Sequence, residues 1–517
     1  MKDAQISDSL KSGPSRIGDL VMLRGQQFPD HLALVETTGS WTYGQLASAS
    51  AQARTWLMKS GVRPGDRVVI VCENCRAFVA VLLAVADLNA WPVLVNSKLS
   101  EREIEEIIEH CGARRVVYTS AESPRAAEHA RRHGAVIENV CEIGPIGLSP
   151  LYPDAEPEIV DSDPSNRVAA LIYTSGTTGL PKGVMLTHGN LLFMASVSVD
   201  ARSVTMDDRL LGILPMSHAV GLSVVLLGTL ISGATLYLSS RFDPMTVRAI
   251  LEKHRITIAL GVPAMFSQFV DYAKLRNLET IVFPHLRIIS SCGAPLHAAT
   301  KVAVEALFGL TLHNGYGVTE CSPTIATAKL SDPCKDTSVG RILPGVEVKF
   351  VGPDQKPVPD GEVGELWVRG PNVMKGYYRA PRETAVAIDA DGWFNTRDLA
   401  RMENGRLFIV GRTKELIVRF GFNVYPAEVE AVLNSHPAVA RSAVIGRVAK
   451  GDEEVVAFIQ PFPETTLTAA EMREFASRRL AFYKRPSQIV FVESMPMTLT
   501  GKVRKDELTK LAAQPTV

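Results

Sequence analysis

Between residues 40 and 300, short runs rich in Val, Ile and Leu alternate with longer segments whose apolar residues recur at helical spacing. Residues 67–71 (RVVIV), 115–119 (RVVYT) and 287–290 (RIIS) are such runs. A strand that is apolar on both faces must be covered on both faces, so this alternation predicts parallel sheets packed between helices. Leu210 to Ser240 carries no Asp, Glu, Lys or Arg and is long enough to span a bilayer, but Pro215, His218, Gly221, Gly228 and Gly233 interrupt it. The pattern there predicts a strand (Leu210 to Leu214), a turn, a buried helix (Val220 to Ile231) and a second strand (Ala234 to Leu238) rather than a membrane span.

From about residue 335 to 410 the texture changes to short strands punctuated by Gly and Pro, which predicts a small β unit with hairpin turns. Beyond Gly411 the pattern becomes α+β: a strand near Leu416, a helix from Ala427 to Leu433, strands near Ala443 and Val455, a helix from Ala469 to Leu480 and a basic tail. The expected fold class is therefore α/β. A large N-terminal domain (1–411) of parallel-rich sheets covered by helices, with the small β unit, precedes a small, mobile α+β domain (412–517).

Composition narrows the function without naming it. Lys plus Arg and Asp plus Glu both count 55, so no global field selects nucleic acid or an anionic membrane. An anionic ligand must be held locally. The N-terminal residues lack the apolar stretch of a secretory signal, which makes the cytoplasm the expected compartment. Seven cysteines are an odd number without paired metal spacing. Cys72 and Cys75 spell CxxC after an apolar run, and the simpler reading is two small residues at a strand end.

The most informative segment is residues 171–184 (LIYTSGTTGLPKGV), a strand end running into a loop of Gly, Ser and Thr with one Lys. Hydroxyls, exposed amides and an ammonium suit the oxygens of a polyphosphate. It is not a Walker A loop, because position 181, five after Gly176, is proline. The segment resembles the signature loop of the adenylate-forming superfamily, which holds acyl-CoA synthetases, peptide-synthetase adenylation domains and luciferase. Further motifs of that family follow in order: Trp41 to Gly44 (WTYG), Leu214 to His218 (LPMSH), Ser291 to Pro295 (SCGAP), Asn314 to Glu320 (NGYGVTE), Gly364 to Leu366 (GEL), Gly392 to Asp398 (GWFNTRD), Gly411 to Lys414 (GRTK), Asn423 to Pro426 (NVYP) and Pro496 to Arg504 (PMTLTGKVR).

The resemblance implies ATP, Mg2+ and coenzyme A as the small molecules handled, with a carboxylic acid as substrate. It assigns Thr174, Ser175, Gly176, Thr177, Thr178, Gly179 and Lys182 to the phosphates. Gly293, Ala294 and Pro295 go to the adenine, and Asn314, Gly315, Tyr316, Gly317 and Thr319 to the base and phosphate. Asp398 and Arg412 go to the ribose, and Glu320 to the metal. The glycines beside Tyr316 are expected to admit a flat base close to the backbone. Lys502 is expected to bridge the carboxylate and the α-phosphate, with His218 beside the reacting carboxylate and Lys414 at the hinge; Lys502, His218, Thr174 and Lys182 are thus the catalytic candidates. Position 397 departs from the family's usual Thr-Gly-Asp, since Arg397 stands between Thr396 and Asp398.

The acyl pocket is expected to be walled by His218, Val220, Gly221, Val262, Cys292 and Gly293, with Val220 and Gly221 leaving room for a chain or ring. No aspartate lies between Leu210 and Ser240 to pair with a substrate ammonium, which disfavours amino acids and leaves a medium- or long-chain fatty acid or an aromatic acid. The acceptor is read as coenzyme A, with a carrier-protein phosphopantetheine as the alternative and a non-catalytic nucleotide-binding protein as the reading from another class. No nucleic acid and no stable membrane insertion are expected, and a homodimer is left open.

Overall fold

The computed structural model describes residues 14–174, 182–420, 422–449, 452–463, 465–498 and 501–512. Its described strands form two large sheets. One has eight strands in the order 376–377, 182–187, 168–174, 91–96, 67–72, 113–118, 144–148, 136–140. The other has nine, in the order 341–342, 324–327, 312–317, 288–291, 258–261, 209–212, 235–238, 32–36, 39–42. The central pairings of both are parallel, as the apolar runs require.

The strand Arg67–Cys72 shows why. All six residues are buried, with Val68 and Ile70 in the main core and Val69 and Val71 in a second cluster on the opposite face. Side chains alternate across a strand, so both faces are dry only because helices cover each one. The helix Arg76–Asp87 is buried along Ala77 to Ala86 and belongs to the main core. Each Val or Leu taken fully out of water there contributes about 1.5–3 kcal/mol before entropy is charged. Cys72 ends the preceding strand and Cys75 caps this helix by accepting from the Phe78 amide; all seven cysteines are unbonded.

Three expectations need correction. The segment read as a helix from Val220 to Ile231 is a π-helix over Val220–Leu227 followed by an α-helix over Gly228–Ser232, and the strand after it starts at Thr235. Periodicity could not find the wider winding, because every residue from Gly221 to Leu227 is buried. The basic tail contains a helix, Lys505–Ala512, whose Leu508 is fully buried. Lys505 pairs there with Glu415 at 2.9 Å and Glu430 at 2.8 Å, partners that no sequence spacing announces. Gly221 does not leave room in a pocket: a Cβ there would lie 2.2 Å from the Pro215 carbonyl oxygen, so the absent side chain admits the preceding turn.

The β unit is a four-stranded antiparallel sheet, 347–351, 364–369, 394–403 and 406–412 in spatial order. Beyond it lie a two-stranded hairpin, 417–419 with 422–424, and a three-stranded sheet of 439–449, 452–461 and 488–491. That last sheet carries Val444, Val455, Ala457 and Ile459 in one cluster, and Ala443, Ile445, Val456 and Phe458 in another. The result is a large N-terminal domain followed by a small α+β C-terminal domain with its own core. Among the described residues, no helix is long and apolar enough to cross a membrane.

Candidate active site

Strands 168–174 and 182–187 are antiparallel neighbours, with Thr174 opposite Lys182. The loop joining them holds Ser175, Gly176, Thr177, Thr178 and Gly179, which lie outside the described residues. Its two ends are fixed by the ladder. Lys182 extends its ammonium over the Tyr377 ring, 5.2 Å from the centroid, and the Tyr377 hydroxyl donates to Glu320 Oε1 at 2.9 Å. Gly376 and Tyr377 pair with Met185 and Val184, which brings Tyr377 beside the loop. Tyr377 was not singled out from the sequence; only its position after the Gly of Lys375-Gly376 hinted at a turn beside a ladder.

Glu320 lies in a 3-10 turn, Thr319–Cys321, directly after the strand Leu312–Gly317. The strand enters this turn by a close approach: a Cβ on Gly317 would sit 1.8 Å from the Pro323 carbonyl oxygen. The missing side chain at Gly317 therefore admits the chain's own backbone. Asn314 is likewise engaged internally, donating to the Thr337 carbonyl at 3.0 Å, and Gly315 is buried in the ladder opposite Thr327. Thr319 and Tyr316 are half-buried at the cleft. Among the described residues, no hydrogen bond reaches Glu320 Oε2. A divalent cation held here would take one carboxylate from the protein and complete its shell with phosphate oxygens and water, a donor set that suits Mg2+. The one three-residue group with metal-ligating reach among the described residues is elsewhere, at Glu101, Glu105 and His133.

Asp398 is 4% exposed and accepts from two groups: the Tyr316 hydroxyl and Arg412 Nε, the latter at 3.0 Å. The strands 394–403 and 406–412 align Asp398 directly opposite Arg412. Burial pushes the Asp398 carboxyl up, opposed by Arg412, the Tyr316 hydrogen bond and Lys502. Arg397 precedes it with φ 59°, the left-handed conformation in which glycine is at ease, and its guanidinium reaches Glu365 at 3.7 Å. Glu365 also accepts from Asn395 at 2.7 Å and from Thr413 at 2.8 Å. The extra cation is thus absorbed by a local acid that also ties down the turn carrying Lys414, which is exposed in the 3-10 segment Thr413–Glu415.

Lys502 comes to this cleft from the far end of the chain. Its backbone amide donates to Thr498 Oγ1 at 3.0 Å, and a Cβ on Gly501 would touch Ala264 at 3.5 Å and Val262 at 3.6 Å. Solvent still reaches Lys502, yet the crowding protein strips much of its water; that desolvation and the Arg412 cation lower its pKa, while Asp398 and Glu320 pull it back. The same ammonium acts on His218, whose pKa burial and Lys502 together push down to about 4. His218 is therefore neutral at pH 7, and its buried Nε2 has no hydrogen-bond partner among the described residues. Cys292 also feels Lys502, and burial raises its thiol to about 11.

Val220, Val262 and Cys292 are half-buried, and Gly293, at φ 81°, is exposed with Pro295, while Ala294 is half-buried. Among the residues expected from sequence, the structure brings Lys502, His218, Asp398, Arg412, Glu320, Tyr316, Cys292 and Val262 into one cleft. Lys182 joins them through Tyr377.

The sequence profile of the AMP-binding enzyme family matches residues 23–378, and that of the AMP-binding enzyme C-terminal domain matches residues 428–502. The chain belongs to the AMP-binding enzyme family. It is 34% identical to a feruloyl-CoA synthase of Amycolatopsis sp over 96% of this chain and 98% of that protein. It is also 34% identical to 4-coumarate--CoA ligase 3 of Oryza sativa subsp. japonica, over 92% of this chain and 88% of that one. Among solved structures it resembles ATP-bound MatB from Rhodopseudomonas palustris, with a TM-score of 0.83 and 28% identity, covering 96% of this chain and 98% of MatB. The o-succinylbenzoate CoA synthetase MenE of Bacillus subtilis, in complex with its acyl-adenylate intermediate, gives a TM-score of 0.79 at 29% identity, covering 95% and 97%. Membership explains why motifs spread across the whole sequence converge on one cleft.

Proposed function

We propose that this chain is an AMP-forming acid–thiol ligase. A carboxylate oxygen attacks the α-phosphorus of ATP, pyrophosphate leaves, and the thiol of coenzyme A then attacks the acyl carbonyl and expels AMP. The observation that carries this reading is the meeting of Lys502 with Asp398, Arg412, Glu320 and His218. It gathers cations and acceptors where two anions must be brought together. The near full-length likeness to enzymes named as CoA synthases and ligases supports coenzyme A as the thiol and favours an aromatic acid.

In this reading Asp398 accepts from the ribose hydroxyls and Arg412 donates to them. Thr174, Lys182 and the loop between them hold the β- and γ-phosphates. Lys502 carries positive charge to the point where charge grows on the α-phosphate, and crowding makes that charge count for more than it would in water. His218, neutral and with a free ring nitrogen, orients the carboxylate without adding a proton to it. Mg2+, held by Glu320, would neutralise phosphate charge and help pyrophosphate depart. The domain boundary is placed at Arg412 to Lys414, and Lys414 is the hinge about which the C-terminal domain turns between the two steps. Seven unbonded cysteines suit a reducing compartment, which supports the cytoplasm.

The test is a panel of aromatic and aliphatic acids with Mg-ATP, with and without coenzyme A, products identified by mass. AMP with an acyl-CoA is the expected outcome. Pyrophosphate release without an acyl-CoA would move the acceptor to a carrier protein, and no turnover with any acid would overturn the reading.

A further inference from the structure

Lys182 and Glu320 meet the same aromatic ring and not each other. The Lys182 ammonium lies over Tyr377, 5.2 Å from the ring centroid, and the Tyr377 hydroxyl donates to Glu320 Oε1 at 2.9 Å. Among the described residues neither the lysine nor the acid has an ion-pair partner. An ammonium on a flexible stem and a carboxylate at this separation attract, and a closed pair would spend on itself the charge that a polyphosphate and its metal need. The face of the ring takes the cation and its polar edge takes the anion, so one side chain keeps the two apart.

The backbone fixes Tyr377 in that place. The Met374 amide donates to the Glu320 carbonyl at 2.8 Å, the Lys375 amide to the Met185 carbonyl at 3.0 Å and the Tyr378 amide to the Gly183 carbonyl at 2.8 Å. The Tyr377 amide itself donates to Thr384 Oγ1 at 2.9 Å. Residues 374–378 are thus stitched on one side to the strand Lys182–Thr187 and on the other to the turn that carries Glu320. Gly376 permits the close passage: at φ 144° a Cβ there would lie 2.9 Å from the Thr384 methyl carbon.

We propose that Tyr377 is a positioning residue for ATP and its metal. Its ring holds the Lys182 ammonium at the end of the phosphate loop, and its hydroxyl occupies Glu320 Oε1, which leaves Oε2 for the metal and denies the acid to the lysine. This rests on the acid-activation reading above and adds a residue to its nucleotide site. The two parts of the side chain separate by substitution. Tyr377→Phe removes the hydroxyl alone, so the carboxylate turns toward Lys182 and the metal loses its ligand. Tyr377→Leu removes the ring as well, so the lysine loses its place and the phosphates lose the lysine.

The experiment measures binding and not turnover. Calorimetry on the intact chain, without any acid substrate, gives the affinity for ATP in Mg2+ and again in EDTA. Tyr377→Phe is expected to weaken ATP binding in Mg2+ by about 10-fold, the worth of a hydrogen bond to a charged group, and to leave binding in EDTA unchanged. Tyr377→Leu should weaken binding in EDTA too, by about 5-fold. In a Glu320→Gln background Tyr377→Phe should cost nothing further in Mg2+, a coupling that a merely structural hydroxyl would not show. Unchanged affinity of Tyr377→Phe in Mg2+ overturns the proposal. Equal weakening with and without Mg2+, or a Tyr377→Phe chain that does not fold, overturns it as well, by making the hydroxyl part of the packing. Wild-type binding of ATP that Mg2+ strengthens, with no turnover of any acid, would sink acid activation and leave the role of Tyr377 to the same variants; a wild-type chain that binds no ATP would sink both.

Discussion

Arg412 and Asp398 face each other across an antiparallel pair of strands, with Arg412 Nε 3.0 Å from Asp398 Oδ1. The carboxylate is almost wholly buried while the guanidinium side chain is 44% exposed, so the pair presents its cation outward and holds its anion within. Removing the acid leaves Arg412 and Tyr316 without a shared acceptor. Asp398→Asn is expected to raise KM for ATP by tens of fold, in line with truncating one member of a buried charged pair. Steady-state kinetics at saturating acid would measure it, and an unchanged KM would remove Asp398 from the nucleotide site.

Lys502 has a sharper signature. An interaction made in the adenylation transition state alone is worth on the order of 10²–10³ in rate. Lys502→Ala is expected to lose that factor in pyrophosphate release while converting synthetic acyl adenylate to acyl-CoA at close to the wild-type rate. Equal loss of both half-reactions would mean that the substitution damages the fold or that the role is misassigned.

Arg397 separates conformation from charge. A left-handed φ costs a residue with a Cβ about 1–2 kcal/mol, and glycine's own entropy and the lost exposed ion pair to Glu365 return most of it. Arg397→Gly should therefore change stability by less than about 1 kcal/mol and keep KM for ATP. Arg397→Ile, β-branched in the same conformation, should lose about 2 kcal/mol and raise that KM by displacing Asp398. Denaturant melts with parallel kinetics check both, and the reverse order would show that charge governs the position.

His188 predicts a pH dependence. Burial, then Arg16 and Arg167, depress its pKa to about 3, and its Nδ1 accepts from the Ile17 amide at 3.2 Å. The unfolded chain takes up this proton near pH 6.5 and the folded one does not, so stability from this group is complete above pH 6.5 and is lost as pH falls toward 3. Between pH 7 and 5 the loss is on the order of 2 kcal/mol. Unfolding experiments at the two pH values should show a smaller difference in His188→Gln than in the wild type, and an identical difference would exclude His188 as its source.

The sequence made the parallel sheets legible because strands such as Arg67–Cys72 are apolar on both faces, a pattern that few other environments tolerate. Asp398, Glu320 and Lys502 were legible only through the motifs that resemble the family's, since each alone reads as a surface charge. Tyr377 and Glu365 were not, since each acts through partners distant in sequence. The π-helix escaped for another reason: a segment buried all round has no polar face to reveal its winding. Gly221 and Gly317 resemble ligand-facing glycines in sequence, and only the packed backbones of Pro215 and Pro323 reveal what fills the space.

The most direct test of acid activation through an acyl adenylate uses a substrate acid labelled with 18O in its carboxylate. If the carboxylate attacks the α-phosphorus and the thiol later breaks the carbonyl carbon–oxygen bond, one labelled oxygen must finish in AMP and none in pyrophosphate. Label in pyrophosphate or orthophosphate, or unlabelled AMP accompanying labelled acyl product, would contradict the account.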